Sequence, residues 1–173
     1  MNNKKNYYPL AIDSWDSSEI TAIKRVMKSG FYTMGKEVQN FEKKFAKFFK
    51  VKHAIMVNSG SSANFLSVFS LILSKNIDFS YGDEVIVPGL AWSTTYSPFF
   101  FTKAKLKVVD INIDSLNADF NTIKKAVTKK TKIIVAVSIL GNPVELTKLR
   151  NFCKQKKIIL FEDNCESLGA KID

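Results

Sequence analysis

An aspartate after an apolar strand, an indole at the mouth of another strand and a serine-rich turn opening a helix are the groups in this chain best suited to chemistry. The run Ile158-Ile159-Leu160-Phe161-Glu162-Asp163-Asn164-Cys165-Glu166 sets acids at the end of a strand that should lie buried. An isolated buried charge is very costly, so Asp163 there needs a cationic or hydrogen-bonding partner. A protonated ring nitrogen would serve, as would a capped turn or a salt bridge. The run Val57-Asn58-Ser59-Gly60-Ser61-Ser62-Ala63-Asn64 passes from a strand through small residues into an apolar helix. The first N–H groups of a helix have no intrahelical partner and sit at the positive end of its dipole. Gly60, Ser61 and Ser62 could therefore hold a phosphate, the serine hydroxyls adding bonds. Ordinary serine capping is the other reading. In the third run, Val87-Pro88-Gly89-Leu90-Ala91-Trp92-Ser93-Thr94-Thr95-Tyr96, Trp92 follows an apolar strand. An indole there can stack on a planar heteroaromatic ring, a contact worth about 0.5 to 1.5 kcal/mol beyond burial, or it can be a core side chain.

Together the three runs offer a phosphate grip, a stacking plate and a carboxylate, which suits a phosphorylated planar pyridine. A carboxylate that keeps a pyridine nitrogen protonated makes the ring an electron sink. The Walker A pattern and GxGxxG are both absent, which disfavours a nucleoside triphosphate or a dinucleotide in the usual cradle.

The elements that must position these groups follow from periodicity. Ile20, Ile23, Val26 and Met27 fall at helical spacing within 15–29, with Asp16 or Ser17 placed to cap the start and Gly30 to close the end. Val38, Phe41, Phe45 and Phe48 predict a second helix whose apolar stripe should dock on a sheet or a partner chain. Five short runs, HAIMV, EVIVP, KLKVVDI, KIIVAVSI and KIILFED, read as strands, and helical patterns occupy SSANFLSVFSLILS, NADFNTIKKAV and PVELTKLRNFCKQ. Strands alternating with helices argue for an α/β class with a largely parallel sheet covered on both faces. Ligands of such sheets bind beyond the carboxyl ends of the strands, where all three runs fall. No repeat, low-complexity tract or Pro-rich linker marks a boundary inside the chain.

Bulk properties narrow the function further. The chain has 173 residues, 46% of them hydrophobic, enough for a core. Its 26 Lys and Arg against 16 Asp and Glu are spread along the chain without a basic block, so a nucleic-acid partner is not expected. Positive potential would instead steer an anionic small molecule. Cys153, Cys165 and His53 have no metal-ligand spacing, so no metal is expected; the thiols read as structural groups of a reducing compartment and His53 as a structural residue. The start MNNKKNYYPLAIDSWD lacks the apolar core of a signal peptide and no stretch has the length of a membrane helix, so a cytoplasmic protein without a membrane partner is expected.

The blocks TMGKEV, FAKFF, NSGSSAN, GDEVIVP, WSTTYSP, VVDI, LNAD, LGNP and EDNCESLGA, in this order across the whole chain, resemble the sugar aminotransferase family DegT/DnrJ/EryC1/StrS. WSTTY, LGNP and EDNCES are most similar to the branch that removes the C3 hydroxyl of a GDP-linked 4-keto-6-deoxymannose. The resemblance implies a pyridoxal 5'-phosphate (PLP) or pyridoxamine 5'-phosphate cofactor and an aspartate aminotransferase-like large domain, of which residues 1–173 would be the amino-terminal part. A smaller carboxyl-terminal domain and a homodimer with shared active sites complete that picture. It further implies that Gly60, Ser61 and Ser62 hold the cofactor phosphate, Trp92 stacks on the ring and Asp163 pairs with the pyridine nitrogen. Glu166 would stand near the phenolic oxygen and act in proton transfer, and Thr33-Met34-Gly35 would lie near the sugar. The substrate would be a nucleotide sugar of lipopolysaccharide O-antigen synthesis, with glutamate as amino donor. The outcome would be C3 dehydration, or amination at C4, or, for a truncated relative, binding alone. The catalytic base, Lys for amination and His for dehydration, would lie beyond Asp173. The 173 residues alone are therefore expected to bind cofactor weakly, not to turn over, and to self-associate through uncovered sheet edges.

Overall fold

The computed structural model describes residues 12–171, so most of the amino-terminal run read above for a signal peptide lies outside the described residues. The chain gathers into two compact units, residues 1–56 and 57–173.

The first unit is built on two helices. Helix α1 (Ser17–Ser29) is capped by Asp16, whose carboxylate accepts the Ser18 N–H at 2.6 Å while Glu19 reaches back to the Asp16 N–H at 2.8 Å. Gly30, at φ 67°, ends it in the left-handed conformation that glycine adopts without strain. Helix α2 (Lys36–Phe48) carries its phenylalanines on one stripe, with the rings of Phe41 and Phe45 5.6 Å apart and those of Phe45 and Phe49 4.5 Å apart.

In the second unit, β1 (Glu84–Pro88), β2 (Lys105–Val109), β3 (Thr131–Val137) and β4 (Ile159–Asp163) form one parallel sheet in the order β2-β1-β3-β4. Helices α3 (Gly60–Leu73), α4 (Ser93–Phe101), α5 (Phe120–Ala126) and α6 (Leu146–Lys156) cover it. The period of two along β1 and β3 separates the two faces. Val85, Val87, Ile133, Val135 and Val137 pack with Val68 of α3 and Phe99 of α4. Ile86, Ile134 and Ala136 pack with Ile123 of α5 and with Leu149, Phe152 and Cys153 of α6. The chain moves outward from β1 to β2, then returns to lay β3 on the other side of β1. This reversal opens a crevice at the carboxyl ends of β1 and β3.

The structure lacks one expected strand and adds one helix. The run 53–57 is not a strand: among the described residues no strand lies beside it, so its backbone has no ladder to join. The Met56 N–H instead meets the Glu42 carboxylate at 2.8 Å, and Ile55 is 70% exposed. Helix α4 went unread because STTYSPFFF gathers its hydroxyl residues in the first turn and its phenylalanines in the last and contains Pro98, so it shows neither a helical stripe nor a clean interior.

Ile134, fully buried at the sheet centre, is expected to cost about 2 to 5 kcal/mol when replaced by Ala. Urea denaturation checks this, the midpoint falling while the slope stays constant.

Candidate functional site

Helix α3, helix α4 and the turn after β4 converge on one carboxylate. Asp163, the last residue of β4, is buried at 7% exposure and lies level with Val137 of β3 in the ladder. Its Oδ2 accepts the Asn64 side-chain N–H at 2.9 Å and the Thr95 hydroxyl at 2.8 Å, and its Oδ1 accepts the Cys165 N–H at 3.3 Å. Every donor is neutral. Among the described residues no lysine or arginine pairs with Asp163; the ion pairs found join Arg25 to Glu37, Lys132 to Asp78, Lys148 to Glu145 and Arg150 to Glu162. Neutral donors do not offset the charge of a buried carboxylate, so a cation beside it would be favoured.

The serine turn sits one helical turn from this carboxylate, since Asn64 is four residues into α3 from Gly60. Ser59 is the cap: its Oγ accepts the Ser62 N–H at 3.1 Å and donates to the Ser62 hydroxyl at 3.1 Å. The N–H groups of Gly60 and Ser61 form no hydrogen bond among the described residues. A Cβ built on Gly60 would meet nothing within 4 Å, so the helix start faces open space. Serine capping and anion binding are thus compatible here, because Ser59 does the first and leaves two donors for the second.

Trp92 precedes α4 and is 69% exposed, which removes the core reading of this side chain. Thr95, three residues on, ties the same junction to Asp163. The turn before Trp92 is held at two points. The Tyr96 hydroxyl donates to the Pro88 carbonyl at 2.7 Å, and the Gly89 N–H donates to the Val109 carbonyl at 2.7 Å. A side chain at Gly89 would crowd that carbonyl oxygen, 3.2 Å from the added Cβ.

Glu166 is exposed and its Oε2 accepts the Leu140 N–H at 2.6 Å, joining the turn after β4 to the turn after β3. Thr33, Met34 and Gly35 belong to the first unit, as does His53, which is exposed beside Glu42 and Lys43 rather than opening a strand. Asn64 and Thr95 were given no role from sequence. The one trace in the sequence is a polar amide one turn into the apolar helix GSSANFLSVFSLIL; Thr95, at 1% exposure beside the acid, left none.

The two thiols differ. Burial pushes Cys153 up to about 11. Cys165 is also pushed up to about 11, first by crowding against the protein and then by the neighbouring Asp163 carboxylate and the charge of Glu166.

Residues 13–173 match the DegT/DnrJ/EryC1/StrS aminotransferase family, and the chain belongs to it. The GDP-4-keto-6-deoxy-D-mannose 3-dehydratase of Yersinia pseudotuberculosis is 44% identical over 166 residues, 96% of this chain and 42% of that protein. The enzyme of the same name from Escherichia coli O55:H7 is 46% identical over 163 residues, 94% of this chain and 42% of that protein. A structure of the Escherichia coli dehydratase with bound hydrated PLP superposes with a TM-score of 0.92 at 45% identity, covering 96% of this chain and 43% of that one. The chain therefore spans less than half the length of these relatives.

Replacing Asp163 with Asn removes a negative charge beside Cys165, which stabilises the thiolate and lowers the thiol pKa. Alkylation of Cys165 by iodoacetamide at pH 8 is expected to accelerate, with Cys153 as the buried internal control. An unchanged rate in a folded variant would contradict the electrostatic assignment.

Proposed function

We infer that this chain forms the cofactor-binding part of the large domain of a PLP-dependent enzyme that removes the C3 hydroxyl of a GDP-linked 4-keto-6-deoxyhexose. The observation that carries the reading is the buried Asp163 carboxylate, bonded at once by the helix that starts at the serine turn and by the helix that follows Trp92. The similarity to two 3-dehydratases acting on GDP-4-keto-6-deoxy-D-mannose supports the substrate class.

The residues present suit the cofactor. Gly60 and Ser61 offer unpaired N–H groups to a phosphate, Trp92 offers an exposed indole face to a ring, and Asp163 offers an uncompensated anion to a protonated pyridine nitrogen. When bound, the cofactor supplies an electron sink for the bonds broken at the sugar. In that arrangement Asp163 holds the proton at the ring nitrogen. Ser61 and Ser62 fix the phosphate end, with the Ser62 hydroxyl already anchored by Ser59. Glu166 serves as the acid near the phenolic oxygen, with Oε2 on the Leu140 N–H and Oε1 available. On this reading the enzyme is a cytoplasmic homodimer of lipopolysaccharide O-antigen deoxysugar synthesis, with glutamate as amino donor. A second reading, amination at C4, is favoured by the aminotransferase character of the family.

Protein expressed from the complete open reading frame and given PLP, glutamate and GDP-4-keto-6-deoxymannose separates the two. Dehydration yields a keto sugar lighter by one oxygen, with 2-oxoglutarate and ammonia released, whereas amination yields an amino sugar; mass spectrometry reads the difference. Asp163→Ala is expected to lose the cofactor absorbance band. A folded variant that keeps the band unchanged would defeat the cofactor assignment.

A further inference from the structure

We propose that Asn64 and Thr95 are positioning residues that hold the Asp163 carboxylate by one oxygen and leave the other to accept from the cofactor's ring nitrogen; this rests on the cofactor reading above. Both donors fall on Oδ2, at 2.9 and 2.8 Å, while Oδ1 receives, among the described residues, only the longer 3.3 Å bond from the Cys165 N–H. The terminal torsion of an aspartate is broad when nothing restrains it. Two donors from different helices on the same oxygen restrain it, and they do so on the side away from the free lone pair of Oδ1.

The donors are themselves fixed. The Asn64 amide nitrogen lies 2.9 Å from Asp163 Oδ2 and 3.4 Å from the Thr94 carbonyl, two acceptors, so a flipped amide would set its oxygen against both. The Thr94 carbonyl is open to Asn64 because the residue four positions on in α4 is Pro98, which has no N–H to return. A proline inside α4 thereby frees a carbonyl, the carbonyl orients an amide on α3, and the amide orients the acid of β4. Thr95, at 1% exposure, directs its hydroxyl to the same acid. Neither side chain changes the charge of the site, so their effect on a cation is one of placement.

Calorimetric titration with pyridoxamine 5'-phosphate of protein from the complete open reading frame tests the proposal. Thr95→Val keeps the shape and removes the donor, and is expected to weaken binding on the order of tenfold, as is Asn64→Leu. Thr95→Ser restores binding. In an Asp163→Asn background the Thr95→Val change has no further effect, because the anion that Thr95 positions is gone. Wild-type affinity in Thr95→Val, or equal losses in the Val and Ser variants, overturns the positioning role. If the unaltered protein does not take up the ligand, the cofactor reading itself fails. Should Asn64→Leu not fold, the near-isosteric Thr95 pair still decides the outcome.

Discussion

A carboxylate kept out of water by a parallel sheet, with no protein cation beside it, is the constraint on which the second unit depends. Asp163 is stabilised by three neutral donors, and hydrogen bonds to a charged group contribute about 1.5 to 3 kcal/mol each. Such bonds hold the acid in place but do not neutralise it. The same three bonds fasten α3, α4 and the turn after β4 to one point. A fold that needed only to satisfy this acid could have used a lysine, and 26 Lys and Arg were available in the chain. The neutral solution leaves the charge of the acid without a protein cation.

The sheet explains why that point is where it is. With β3 between β1 and β4, the carboxyl ends of all three strands open on one side, and the β1-to-α4 turn and the β4 terminus face each other across β3. The two faces are packed independently. Phe99 and Val68 lie on one side, and Leu149 and Phe152 on the other. The side that carries α3 and α4 is the one that sends Asn64 and Thr95 to the acid. Core packing and site geometry are therefore set by the same helices, and a displacement of either helix would move a donor.

Much of this was legible in the residue order. The β-branched runs EVIVP and KIIVAVSI, each followed by small or polar residues, announced buried parallel strands, and the acid after KIILFED announced a strand end with a charge to satisfy. The unread parts have physical causes. Helix α4 separates polar from apolar residues along its length instead of around it, so periodicity could not show it. The run at 53–57 has the composition of a strand but no strand pairs with it among the described residues, and composition does not report pairing. Asn64 and Thr95 were hidden because a single polar residue in an apolar helix reads as noise until the acid opposite it is located. The requirement was visible from sequence, while the donors that meet it depend on which helices share a face.

The turn after β3 extends the same logic to strain. Leu140 sits at φ 52°, ψ 26°, the left-handed region that costs a non-glycine residue roughly 1 to 2 kcal/mol, and its side chain gains little burial in return at 78% exposure. Side chains from elsewhere hold it there. Glu166 accepts the Leu140 N–H, while the buried Asn117 accepts the Ile139 N–H at 3.0 Å and donates to the Asn142 carbonyl at 2.8 Å. Relaxing Leu140 would withdraw the N–H from the Glu166 carboxylate, three residues beyond Asp163. The strained residue and the acid therefore share a turn-to-turn brace, and the strain is maintained because bonds on both flanks of the turn would have to break together to release it.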